Sequence, residues 1–344
     1  MKNHLKTRDL SYEFIRVLAM IFIVFDHNLN SYIQGDLSKY IEPFFVVGVT
    51  LFFMLSGKFA FKLNLEDKSL YKKFYWKKFI GLIIPILVFM AIKNLHVMVY
   101  NWHLSVTPIS YLRHFGIALV NGFNYMEYWF LYILIALLAA VPFTARMMQS
   151  MKDRDKKAFL IVSTIFGIFQ VFIPTVFKVD FAVNYYFLGY VLFFFIGFIA
   201  EDVFSSQKDK KRLYFIGLLG FIITLIMVHF GFKSGYKSFS PFYLYFTLAL
   251  FIGLHELGKK IPKKFEKLIG FIGKHSLSVY MIHIIFLYII NDLNFFPKNI
   301  LSYILSTFST VIISAIIGAI IDKTIIKWIQ NLFIKIFKLE NVLK

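Results

Sequence analysis

The chain has 344 residues, of which 59% are hydrophobic and 20% aromatic but only 17% charged. Soluble domains are about 45–50% apolar and about 25% charged, so this balance excludes a soluble enzyme, a disordered chain and a nucleic-acid-binding domain. The formal charge of +19 fits basic loops at an anionic membrane face. With no cysteine, no disulfide, thiolate nucleophile or Cys-ligated metal is available.

A membrane span needs about 20 mostly apolar residues. Ten stretches qualify in chain order: Leu10–Leu29, Ile41–Phe61, Phe79–Val99, Glu127–Ala145, Ala158–Phe177, Ala182–Ala200, Leu213–Phe232, Pro241–Leu257, Leu268–Ile290 and Ile300–Ile321. The expected architecture is an all-α polytopic bundle over 1–344, read as one transmembrane domain. Lysine and arginine concentrate on the N-terminal side of the spans. Only Lys39, Arg113, Lys178, Lys233, Lys237 and Lys298 fall in loops on the other side. Both termini are therefore expected in the cytoplasm. Residues 322–344 alternate basic and apolar positions, a pattern that predicts an amphipathic tail on the cytoplasmic membrane surface. No cleavable signal peptide is expected, because the first apolar run carries charges.

Ionisable groups inside spans are costly and mark function. In the first span Glu13, Arg16, Met20, Ile23, His27 and Asn30 recur at alternating steps of three and four, which is one helix face. Arg16 and His27 are separated by three turns, about 16 Å along the axis. A cation near the cytosol can hold an anionic donor, and an imidazole further out can take a proton. The bland alternatives are an Arg16–Glu13 pair at i,i+3 and an interfacial His27. Asp26 adjoins His27, but neighbours in a helix do not face each other.

Weaker signals follow. Ser56-Gly57 is a small pair at which helices can approach closely. Lys72, Lys73, Lys77 and Lys78 interleave with aromatics, which suits either nucleotide phosphates or an anionic membrane surface. Lys93 and His96 lie in the outer half of the third span, where both can snorkel. Glu127 opens the fourth among aromatics and reads as a carboxylate exposed in an interfacial belt. Ser276, Tyr280 and His283 share a face of the ninth, either lining a cavity or bonding between helices. The histidines are too scattered for a metal site.

Four stretches together resemble the integral-membrane acyltransferase family 3, whose members mostly O-acetylate surface carbohydrates. They are Arg16-x10-His27, Phe45 to Gly57 with the basic loop and Pro85, Glu127-Tyr-Trp129-Phe130-Leu131 with Pro142, and Ile272 to His283. Departures are Asp26 before His27, lysines where arginines are frequent, and Glu127 where histidine is usual. The resemblance implies transfer of an acetyl group from cytoplasmic acetyl-CoA to a sugar hydroxyl of a surface polysaccharide or lipid-linked glycan, in a bacterial cytoplasmic membrane. It implies His27 as general base on the acceptor hydroxyl, or as an acyl carrier. Asp26 beside it is a further candidate, and the hydroxyl of Ser276 or Tyr280 can polarise the thioester carbonyl. Arg16, Glu13, Lys72, Lys73, Lys77 and Lys78 would form the donor-binding set. No metal is implied. Acceptor selectivity is expected from outer loops such as Asn101–Asn124. Succinyl transfer, or a transporter of a lipid-linked saccharide, are the competing readings.

Overall fold

The computed structural model describes residues 9–101, 106–120, 126–177, 189–232 and 240–343. Among them there is no strand, and the chain is all-α. The helices are α1 (Leu10–Tyr32), α2 (Asp36–Ala60), α3 (Leu70–Lys78), α4 (Ile84–His96), α5 (Pro108–Val120), α6 (Trp129–Ser150), α7 (Asp153–Phe177), α8 (Tyr190–Val203), α9 (Gln207–His229), α10 (Pro241–Gly258), α11 (Glu266–Lys274), α12 (Ser276–Asp292), α13 (Ile300–Ile321), α14 (Lys327–Ile336) and α15 (Glu340–Leu343). Among the described residues, six helical stretches are long and apolar enough to cross a membrane: Asp36–Ala60, Leu70–Tyr100, Trp129–Ser150, Asp153–Ile173, Gln207–His229 and Ile300–Ile336. The first expected span is helical throughout, but Glu13, Arg16, Asp26 and the polar run to Asn30 dilute its hydropathy.

Three expectations change. The single span drawn over Leu268–Ile290 is two helices, α11 and α12, parted at His275. The stretch expected as an outer loop from Asn101 to Asn124 contains a helix, α5, while residues 102–105 and 121–125 lie outside the described residues. The third span begins at Leu70 and carries two π-helical turns, Phe79–Ile83 and Val97–Asn101. Lys178, Lys233 and Lys237 also lie outside the described residues.

The chain divides into two compact units, Met1–Lys62 with Phe143–Lys274, and Leu63–Pro142 with His275–Lys344. In the first, α1 and α2 pack together and α2 lies along α8. Glycine makes this possible. A Cβ on Gly57 would overlap the Phe194 carbonyl of α8, and one on Gly197 would overlap the Met54 backbone of α2. The start of α1 is fixed by Asp9, whose carboxylate accepts from the Ser11 amide at 3.0 Å.

In the second unit α12 packs on α13 and α4, and the π-helical turn Phe79–Ile83 joins α3 to α4. A π turn displaces the usual i→i−4 bonding. The Ile80 carbonyl there accepts from Gln330 Nε2 of α14 at 2.8 Å. Around that bond Ile80, Ile84 and Leu339 form a core with Trp76, Phe79 and Phe333 against it. The tail is amphipathic as expected. Part of its apolar face is covered by α3 and the π turn, while Trp328, Leu332 and Ile336 stay exposed.

Candidate active site

In the first unit α1 is one unbroken helix, so Glu13, Arg16 and His27 keep to one face. Arg16 Nη1 donates to Glu13 Oε1 at 2.6 Å, so the i,i+3 pair is formed. Glu13 is buried against Gly273 of α11, where a Cβ would press on its carboxylate. The Arg16 side chain stays 25% exposed, so its guanidinium is oriented by one carboxylate and still presents donors. The middle of the stripe, Met20 and Ile23, is buried, and His27 is exposed at the far end. Asp26 is half-buried on a different face, within electrostatic reach of Tyr190 of α8. It therefore does not stand behind His27 through α1 geometry alone.

A second polar group in the first unit joins α1, α2, α8 and α10. Lys58 Nζ lies 2.8 Å from Glu201 Oε2, and Tyr12 donates to Glu201 Oε1 at 2.6 Å. The Tyr12 ring stacks on His255 with centroids 4.5 Å apart. Lys58 is buried and paired, which satisfies a cation that the bilayer would reject.

In the second unit the four lysines do not share one face of α3. Lys78 turns with Phe74 and Tyr75 into a cleft against α6, while Trp76 meets the tail. Lys72 and Lys77 are exposed and Lys73 is half-exposed. Asp67, in the loop before α3, is held below the usual carboxylate range by hydrogen bonds from Ser69, side chain first and then amide, with the charges of Lys73 and Lys77 adding to the effect.

Ser276 and Tyr280 are both buried at the start of α12. The Tyr280 hydroxyl donates to the Glu127 backbone carbonyl, so its proton is engaged in packing α12 against the start of α6. Nearby Tyr128 donates to the Met281 carbonyl at 2.6 Å. His283 Nδ1 lies 2.7 Å from the Tyr280 carbonyl, which places the proton on Nδ1.

Two further constellations were not anticipated. Lys93 Nζ lies 3.0 Å from Glu127 Oε1 with both side chains largely buried. Lys93 does not snorkel, and Glu127 is not an exposed belt carboxylate. His275 Nδ1 lies 2.5 Å from Asp322 Oδ2, and Ser278 donates to both Asp322 oxygens. That trio ties the start of α12 to the π-helical turn after α13. The available signal was a cation or imidazole inside an apolar run, which demands an anion. Its partner could not be chosen from spacing. Among the described residues no three His, Asp or Glu side chains gather as metal ligands.

A family model described as an acyltransferase domain matches residues 9–319. No curated protein and no solved structure matches the chain.

Proposed function

Because the chain belongs to the integral-membrane acyltransferase family 3, whose members act on surface carbohydrates, we propose that it moves an acetyl group from cytoplasmic acetyl-CoA to a hydroxyl of a cell-surface or exported polysaccharide sugar. The chain is a membrane acyltransferase; acetyl, coenzyme A and the sugar acceptor are the proposal. The observation that supports it most is the unbroken α1 stripe, with carboxylate-oriented Arg16 towards one end and exposed His27 towards the other.

In this reading the His27 imidazole accepts the proton of the acceptor hydroxyl as its oxygen attacks the thioester carbonyl. The C–S bond then breaks and the imidazolium returns the proton to the departing thiolate. The ester is formed, coenzyme A leaves as the thiol, and His27 is neutral again. Two cationic features are separate candidates for the donor's phosphates. One is Arg16, held by Glu13, and the other is the set Lys72, Lys73 and Lys77 on α3. Ser276 is a candidate donor to the thioester carbonyl. Asp26, which precedes His27, is a further candidate at this end of α1. The lysine-rich cytoplasmic side supports the side of donor entry, and a bacterial cytoplasmic membrane with both termini inside is the location proposed.

The test uses isolated membranes, acetyl-CoA labelled in the acetyl group, and surface polysaccharide. Base-labile label on the polymer with the wild type, and none with His27→Ala expressed at the same level, is expected. Label from both proteins would remove His27 from the chemistry. Label from neither would overturn the choice of donor or acceptor.

A further inference from the structure

In the second unit a cleft of about 230 Å³ opens between α3 with its π-helical turn and α6. Its walls are Phe74, Phe79, Leu82, Ile83, Ile135 and Leu138. The two polar side chains on it are Tyr75 and Lys78. Tyr75 is already committed, donating to the Ala139 carbonyl at 2.8 Å and so bracing the cleft. Lys78 lies over the face of Phe74, 5.5 Å from the ring centroid. It has no carboxylate partner among the described residues. The contrast with its counterparts is plain, since Lys58, Lys93, Lys156 and Lys210 each have one at 2.7–3.0 Å.

We infer that this cleft is a binding site for an anionic phospholipid of the bilayer, with one acyl chain lying against the α3–α6 walls and the phosphate on Lys78. Three observations converge on that occupant. The walls are hydrocarbon and offer no hydrogen bonds to a polar arm. The volume falls below the about 300–1,000 Å³ of sites that enclose a whole small molecule, so it suits one aliphatic chain. The half-exposed cation at the cleft sits in a stretch long and apolar enough to span the membrane, Leu70–Tyr100, and basic pockets between spans on the cytoplasmic side take anionic head groups. The inference does not depend on which donor or acceptor the chain uses. It separates Lys78 from Lys72, Lys73 and Lys77, which the cleft does not include.

The experiment takes the full chain in phosphatidylcholine vesicles with and without phosphatidylglycerol. Retained lipid is read by native mass spectrometry and the unfolding midpoint by a thermal ramp, because a ligand of the folded state raises that midpoint. Wild type is expected to retain phosphatidylglycerol over phosphatidylcholine and to unfold at a higher temperature with it. Lys78→Gln should weaken that preference by about fivefold, and Lys78→Arg should keep it. Ala139→Leu places a branched side chain at an exposed wall position and should weaken retention with the lysine intact. The site is overturned if wild type shows no preference, or if Lys78→Gln keeps it. It is equally overturned as a lipid site if soluble glycerol phosphate competes as well as the lipid does, or if coenzyme A alone displaces it. No arm reads acyl transfer, so failure here and failure of the transfer reaction are separate results.

Discussion

Lys93 Nζ lies 3.0 Å from Glu127 Oε1, with the two side chains 3% and 14% exposed. The pair joins α4 to the 3-10 turn Met126–Tyr128 that leads into α6, and Lys93 also lies 5.6 Å from the Tyr288 ring centroid of α12. Buried pairs are weak stabilisers overall, but breaking one side strands a charge at a cost of about 3–5 kcal/mol. Glu127→Gln is therefore expected to lower the unfolding midpoint in detergent strongly. The double variant Lys93→Met with Glu127→Leu should recover much of the loss. Equal loss in the single and double variants would show that the pairing itself is not what matters.

Close helix contact gives a second prediction. A methyl group on Gly57 would collide with backbone, whereas one on Gly253 of α10 would meet only Tyr214 at an ordinary 3.6 Å. Gly57→Ala should destabilise by about 3 kcal/mol or more, at the upper end of overpacking costs. Gly253→Ala should be neutral or stabilising by up to about 1 kcal/mol, because alanine is the better helix former. Unfolding midpoints of the two variants, measured side by side, check this. Similar midpoints would mean that α2 and α8 tolerate separation.

These two cases show what was legible in the sequence. Ser56-Gly57 stood out because small residues in an apolar run have one main use, close packing. The α1 stripe stood out because a helix repeats every 3.6 residues, and the structure keeps α1 unbroken over Leu10–Tyr32. The Lys93–Glu127 and Lys58–Glu201 pairs were not legible. Each cation was visible, but its carboxylate lies on a distant helix, and hydropathy carries no information about which helices touch. The break at His275 was partly visible, since Lys274-His275-Ser276 is a polar triplet inside an apolar run. It was absorbed because hydropathy averaged over a span hides a local interruption. The π turns left no signature, because they arise from tertiary partners such as Gln330 at the Ile80 carbonyl.

That carbonyl gives a third prediction. Gln330→Leu keeps the side-chain size and removes the donor, leaving the Ile80 carbonyl without this partner at a cost of about 1–3 kcal/mol. The loss should be local. Amide hydrogen exchange should rise across α3 and the turn to Ile83 and stay unchanged in α9, which belongs to the other unit. Unaltered exchange over residues 70–83 would mean that the tail does not brace α3.

The catalytic reading of His27 predicts the size of an effect as well as its direction. General-base catalysis contributes about 10²–10⁴-fold to rate. His27→Gln should therefore lower kcat by that amount with the KM for acyl-CoA little changed, since the group acts on the acceptor proton. A rise in KM with kcat unchanged would assign His27 to binding instead.

The donor-binding cations predict the opposite kinetic pattern. Each charge-assisted phosphate contact is worth about 1.5–3 kcal/mol, or about tenfold or more in affinity. Arg16→Ala should raise the KM for acyl-CoA by about that factor, and so should the double variant Lys73→Gln with Lys77→Gln. The two are distinguishable with a donor lacking the 3′-phosphate of coenzyme A. A cation that holds this phosphate loses its effect when the phosphate is gone, so its variant and the wild type should then converge in KM. A cation on the pyrophosphate should keep its full penalty with the truncated donor. If neither variant changes KM with either donor, phosphate recognition lies elsewhere and the lysines of α3 serve only the anionic membrane face. Glu13→Gln sharpens the Arg16 arm. It removes the carboxylate 2.6 Å from the guanidinium but leaves the cation, so a donor-binding Arg16 should lose orientation and raise KM by less than Arg16→Ala does. A structural pair would instead show the same stability loss from either change and no change in KM.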